Sequence, residues 1–290
     1  MPSQNMATRG TPARNEPLER ARLVTMPDTP ADPTTSFRLD ERVVLVTGAS
    51  SGLGARFARV AAGAGATVIL SARRADRLAA LVAELDQTHG SGRAHAIEVD
   101  LTAPGGPERC VADAIDAAGR VDVLVNNAGI SQVIPAVDMS TDDFRYEIEI
   151  DLVAPFAMAR DVARDAIAKG RPASIINIGS ILGEVGGGKL RVAGYAAAKG
   201  GLHNLTRELA SQWGRKGVRV NAIAPGWFET EMNDAMFSDG GGRTYMDAGS
   251  AMGRPGVDGE LDGAMLYLAS DASSFVNGHV LEVSGGWTTT

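Results

Sequence analysis

Tyr195 and Lys199 are four residues apart, in a stretch that reads as a helix, so they share one face. A free phenol has a pKa of about 10, and acid–base work near neutrality needs a shift of about 2 units. A neighbouring ammonium favours the phenolate, which is a physical reason to want lysine at this offset. Ser180 follows an apolar run and offers a hydroxyl that can steady an oxygen as it gains charge. Together they suit proton transfer to an oxygen that gains charge, with Tyr195 as general acid, or as base in the reverse direction. A second constellation lies upstream, in Thr47-Gly48-Ala49-Ser50-Ser51-Gly52-Leu53-Gly54. An apolar run precedes it and a helical stretch follows. Glycines there let backbone approach a pyrophosphate, and the helix start offers free N–H groups.

These residues need a scaffold, and the pattern supplies one. Short apolar runs at Val43–Val46, Ala66–Leu70, Ala94–Val99, Val121–Val125, Ser174–Ile178, Arg219–Ile223 and Val280–Val283 read as strands. Helices are predicted at Ala55–Ala64, Arg77–Leu85, Pro107–Ala118 and Tyr195–Trp213, with a long helical region, Asp142–Lys169, bent near Pro155. Seven buried strands alternating with helices predict a Rossmann-type, doubly wound α/β fold, with helices on both faces of a parallel sheet. Residues 37–290 are expected to form one dinucleotide-binding catalytic domain. Residues 1–36 hold Pro2, Pro12, Pro17, Pro27, Pro30 and Pro33 with no apolar period, and are expected to be a disordered extension or to drape on a neighbouring surface. A short helix at Glu16–Val24 is compatible with the sequence.

Composition narrows the classes. The single cysteine, Cys110, excludes an internal disulfide framework and fits a reducing, cytoplasmic setting. The net charge of −7 argues against a general nucleic-acid or anionic-membrane surface. No apolar run reaches the length of a membrane span, and the first residues lack a signal-peptide pattern. His89, His95, His203 and His279 are scattered without ligand spacing, so no metal is expected.

The motif T-G-x-x-x-G-x-G, then Asp100, Asn126-Asn127-Ala128-Gly129, Ser180, Tyr195-Ala196-Ala197-Ala198-Lys199 and Pro225-Gly226 occur in order, each at a strand end or helix start. In this the chain, from about Phe37 to Trp287, resembles the single-domain short-chain dehydrogenase/reductases. The resemblance implies that Gly48, Ser50, Ser51, Gly52, Leu53 and Gly54 hold the dinucleotide. It also implies that Asp100 and the adjoining Leu101 meet the adenine. Asn127, Ala128 and Gly129 would support sheet and cofactor. Lys199 would bind the nicotinamide ribose, and Pro225, Gly226 and Thr230 would flank the nicotinamide. One departure stands out: Asp151 occupies the place of a family asparagine that holds a relay water. A carboxylate there would stabilise Lys199 as a cation and offset its pull on Tyr195. The resemblance further implies a homo-oligomer, commonly a tetramer, pairing the helices of Phe144–Ala168 and Tyr195–Trp213. Phe275–Trp287 would join another interface, where Ser284-Gly285-Gly286 stands for a usual Asp-Gly-Gly.

Beyond the second strand, Ala72 stands where an acid would select a free ribose 2′-hydroxyl, and Arg73-Arg74 follow. Asp76 competes for that role but directly precedes the helix and reads as its N-cap. Arg73 therefore reads as a 2′-phosphate clamp with Ser50 as a second donor, which favours NADP(H) over NAD(H). Between Trp227 and Arg254, four methionines and Gly240-Gly241-Gly242 suggest a flexible lid over a partly apolar substrate. Gly183–Gly194 would also border it. The expected function is carbonyl reduction or alcohol oxidation on a 3-oxoacyl thioester, a steroid or terpenoid ketone, or a sugar. A nucleotide-binding regulator without catalysis is the alternative.

Overall fold

The computed structural model describes residues 32–289. The helix expected at Glu16–Val24, and the tail up to residue 31, lie outside the described residues. Pro33–Phe37 forms a 3₁₀ turn. From Thr34 onward the described residues cluster as one unit.

The chain alternates strand and helix: β1 (Val43–Thr47), α1 (Gly52–Gly63), β2 (Thr67–Ala72), α2 (Ala75–His89), β3 (Ala94–Glu98), α3 (Gly106–Ala118), β4 (Val123–Asn126) and α4 (Thr141–Ile148). A π-helical turn, Glu149–Val153, leads into α5 (Ala154–Ala168), β5 (Ala173–Ile178), α6 (Ala193–Trp213) and β6 (Val218–Pro225). Three short helices follow, α7 (Asp234–Ser238), α8 (Gly240–Gly249) and α9 (Asp262–Ala269), before β7 (Val280–Val283). All neighbouring strands pair in parallel, in the order β3-β2-β1-β4-β5-β6-β7.

Successive strand residues point to opposite faces, and both faces are covered. Val44 and Val46 of β1 join a core with Phe57 of α1, Leu78 of α2 and Met265 of α9. Val43 and Leu45 join a second core with Cys110 of α3, Met158 of α5 and Leu209 of α6. The strand order reverses between β1 and β4, and the crevice at such a switch point, past the strand C-termini, is where ligands bind in open α/β sheets. The loops and helices that follow β1 through β6 at this edge carry the singled-out residues.

Three expectations shift. The bend expected near Pro155 is a π turn just before it, with Pro155 in the first turn of α5. Proline has no N–H to return to the carbonyl four residues back, and the Ala154 N–H instead bonds the Glu149 carbonyl. Gly240–Gly242 is not a loose link but the opening of α8, where the Asp239 side chain accepts the Gly242 N–H at 3.1 Å. Asp76 is not an N-cap. α2 begins at Ala75, before its apolar stripe starts at Leu78, so Asp76 sits exposed in the first turn, where its charge suits the helix dipole. Helix α9 has no counterpart in the periodicity, because its apolar residues run almost without interruption.

Candidate active site

One cleft of about 580 Å³ runs across the C-terminal edge of the sheet, from Ser50 and Arg73 at one end to Ser180 and Tyr195 at the other. At the first end the loop after β1 turns at Gly48, with φ of +67°. The Thr47 hydroxyl accepts the Asn127 and Ala128 N–H groups at 2.9 and 3.0 Å, which ties this loop to the one after β4. Gly54 must be glycine, because a Cβ there would lie 2.4 Å from the Gly48 carbonyl oxygen. Ser51 precedes α1 without capping it through its side chain, so the first amides of that helix stay available to an anion. Arg74, at the start of α2, donates to Ser50 Oγ at 2.9 Å and to Ser51 Oγ at 2.6 Å. Its other terminal nitrogen meets Glu231 at 2.8 Å. Arg73 lines the same cleft, exposed. Asp100 accepts the Thr102 N–H and hydroxyl on Oδ1, at 2.9 and 2.8 Å, which makes it a turn acid as well as a cleft wall. Leu101 and Leu53 add apolar wall. A two-sided cleft with a glycine loop, open helix amides and guanidinium groups fits the pyrophosphate of a dinucleotide.

At the other end Asp151, Ser180 and Lys199 are buried and Tyr195 is half-buried. Tyr195 and Lys199 lie one turn apart on α6, with Lys199 Nζ 5.4 Å from the phenol ring centre. Lys199 Nζ donates to the Ile178 carbonyl at 2.9 Å and lies 3.0 Å from Asp151 Oδ1. The π turn aims Asp151 inward, and its other oxygen accepts the Ile130 N–H at 3.1 Å. Gly129 leaves room for this, since a Cβ there would lie 2.4 Å from Asp151 Oδ1. Ser180 Oγ accepts the Leu182 N–H at 3.1 Å, which leaves the hydroxyl proton to donate elsewhere. It also meets the Tyr195 phenol.

Electrostatics correct one expectation. Burial pushes the Tyr195 phenol above its ordinary pKa; Lys199 pulls it down, but Asp151 works against that pull. Burial therefore outweighs the lysine, and the shift favours the protonated phenol. Burial opposes the Lys199 ammonium, yet Asp151 and Tyr195 hold it above its ordinary value. Burial likewise raises Asp151 against the pull of Lys199.

Two buried partners were not singled out from the sequence for this site. His203, one turn beyond Lys199, is buried with Nδ1 2.8 Å from Glu184, and its Nε2 accepts the Ser180 N–H over a long 3.5 Å. Burial lowers its pKa. Glu147, one turn before Asp151, is fully buried and accepts the Gln132 N–H at 2.6 Å. Burial raises its pKa. The signal was the spacing of four: Tyr195, Lys199, His203 on one helix and Glu147, Asp151 on another.

Of the remaining named residues, Pro225, Gly226 and Thr230 line the cleft. The Thr230 hydroxyl donates to Asn233 Oδ1 at 3.0 Å, so its oxygen can still accept. Among the lid methionines, Met232 lines the cleft while Met246 is core. Trp227, Tyr245 and Trp287 meet edge to face, with ring centres 5.3 to 6.3 Å apart. Trp227 and Trp287 pack beside Tyr195 against Ile181, Leu182 and Val192. Among the described residues no helix is long and apolar enough to cross a membrane.

A family model described as enoyl-(acyl carrier protein) reductase matches residues 48–288. The chain is 38% identical to the galactitol 2-dehydrogenase (L-tagatose-forming) of Cereibacter sphaeroides over 263 residues, 89% of this chain and 99% of that protein. It is 37% identical to the gluconate 5-dehydrogenase of Gluconobacter oxydans, over 87% of this chain and 96% of that one. A crystal structure of a gluconate 5-dehydrogenase from Burkholderia cenocepacia, in complex with NADP and tartrate, aligns with TM-score 0.83 and 36% identity, over 88% of this chain and 98% of that one. With the glycine loop, the Tyr195–Lys199 pair and these near full-length matches pointing the same way, the chain is an oxidoreductase of the short-chain dehydrogenase/reductase family.

Proposed function

We propose that the chain interconverts a secondary alcohol and its ketone with NADP(H), Tyr195 serving as general acid and base, and that the substrate is a polyol or sugar acid. The observation that supports this most is the half-buried Tyr195 backed by the buried Lys199–Asp151 pair beside Ser180, at the end of a cleft whose other end presents a glycine loop and arginines. Gly48, Ser50–Gly54, Arg73, Asp100, Leu101 and Asn127–Gly129 would hold the dinucleotide, which when bound would supply or accept the hydride. Ser180 donates its hydroxyl proton to the substrate oxygen. In reduction Tyr195 transfers its phenol proton to that oxygen. Lys199, fixed by Asp151 and the Ile178 carbonyl, keeps positive potential behind the phenol. A polyhydroxylated substrate is supported by the galactitol and gluconate relatives. NADP is supported by the complex of the Burkholderia cenocepacia relative, and by Arg73 and Arg74 at the cleft.

Assembly as a homotetramer through the helices of Phe144–Ala168 and Tyr195–Trp213 is part of the same reading, supported by the exposed apolar side chains of Phe144 and Tyr146 on α4, Val153 on the π turn and Phe156 on α5. A cytoplasmic setting and a single catalytic domain behind an N-terminal extension complete it. The test is a panel of polyols, sugar acids, steroid alcohols and 3-hydroxyacyl thioesters with NADP⁺ and NAD⁺, followed at the nicotinamide absorbance band. Turnover of polyols or sugar acids with NADP⁺ is expected. Turnover of the thioesters alone, or a preference for NAD⁺, would overturn the substrate or the cofactor assignment. Binding of NADPH without turnover of any compound would make the chain a nucleotide-binding regulator.

A further inference from the structure

Glu231 follows Thr230 on the loop beyond β6, far in sequence from the arginines of α2, yet it closes their charge. One carboxylate oxygen meets Arg74 at 2.8 Å and the other meets Arg77. The same Arg74 guanidinium donates to Ser50 and Ser51, at the edge of the glycine loop. Arg74, Ser50, Ser51 and Glu231 all line the dinucleotide cleft, beside Arg73. An acid bridging two arginines beside two serine hydroxyls has the donor set that a phosphate monoester would use. We propose that Glu231 is a stand-in for the 2′-phosphate of NADP(H): it satisfies Arg74 until that phosphate displaces it, and so sets how strongly the chain discriminates between phosphorylated and unphosphorylated dinucleotides.

The physics allows the exchange. The three side chains are 40%, 45% and 54% exposed, so the pair is screened and contributes little. A phosphate monoester brings between one and two negative charges and three acceptor oxygens near neutrality, against one charge and two oxygens for a carboxylate. Left beside the phosphate, Glu231 would repel it. Arg77 gives the displaced carboxylate a second partner, so it need not leave bare. Glu231 is held well below the usual carboxylate range, at about 2, by Arg77 and Arg74, so it is charged at any working pH.

The proposal rests on the NADP(H) reading, and its test keeps the two apart. Titration calorimetry of the wild-type chain with adenosine 2′,5′-bisphosphate and with 5′-AMP measures what the 2′-phosphate contributes. The same titrations on Glu231→Gln measure whether Glu231 competes with it. The variant changes an exposed side chain, so its fold should stand. Expected are about three- to five-fold tighter binding of the bisphosphate, a gain within the range of an exposed ion pair, and 5′-AMP changed less than two-fold. Equal change for both ligands, or weaker binding of the bisphosphate, would overturn the proposal. Weaker binding of 5′-AMP alone would overturn it too, by making Glu231 a ribose ligand. If the wild type binds the two ligands equally, the NADP(H) reading fails, and the variant ratio still decides the role of Glu231.

Discussion

At the phosphate end of the cleft, Arg74, Arg77 and Glu231 stand 40%, 45% and 54% exposed, while at the reacting end Lys199 and Asp151 are 5% and 0% exposed. The first set can trade partners, because water shares the cost of each state. The second cannot, because an unpaired charge there would be stranded in a low-dielectric interior. In the proposed reading, one end of the cleft therefore recognises by exchange and the other works by fixed placement.

The most severe test of fixed placement is Tyr195→Phe. Turnover should fall by about 10²–10⁴-fold with dinucleotide binding unchanged, measured by steady-state rates and by fluorescence titration with NADPH. A comparable loss of binding would mean that Tyr195 is structural. Next is His203→Leu, which removes the acceptor for the Ser180 N–H. It should lower kcat by up to about tenfold through a misplaced hydroxyl, with cofactor binding intact. It should also flatten the acid side of the stability curve. The His203 pKa is depressed by burial, so wild-type stability is lost as pH falls below the unfolded value of about 6.5, and the variant lacks that loss.

Asp151→Asn is a finer probe. It keeps an acceptor for the Ile130 N–H but removes the charge that opposes Lys199. The pH optimum for alcohol oxidation should move down by about half to one unit. Superimposed profiles would leave Asp151 with a structural role alone. Smaller still, Glu147→Gln should raise Tm by a few degrees at pH 7 and not at pH 4. Burial raises the Glu147 pKa, so its stability contribution is present below the unfolded value of about 4.3 and lost as pH rises through the folded one. The expected few-fold effect of Glu231→Gln on bisphosphate binding completes the contrast, as the one change that strengthens an interaction.

Much of this was legible in the chain. The seven strands, the glycine loop and the Tyr195–Lys199 spacing follow from local pattern, since each is set by neighbours within a few residues. Asp76 was misplaced as a cap because α2 starts before its apolar stripe, and an exposed first turn leaves no periodic mark. Gly240–Gly242 read as slack because composition does not show that Asp239 caps a helix there. Arg73 follows from its position past the second strand, but that the Arg74 guanidinium reaches Ser50 and Ser51 is decided by tertiary placement.

By itself the sequence determined the parallel α/β sheet, the order of its motifs and the residues that could do proton and hydride chemistry, because hydrophobic period and fixed helical spacing act over short stretches. The tertiary structure alone decided the partners. Glu231 reaches Arg74 across 157 residues. Ser180 meets His203 across 23, and Asp151 reaches Lys199 by way of a π turn that no periodicity marks. It also decided the direction in which Tyr195 is shifted. The lysine four residues away is local, but the burial that outweighs it includes packing with Trp227, Trp287, Ile181 and Leu182, which come from other parts of the chain.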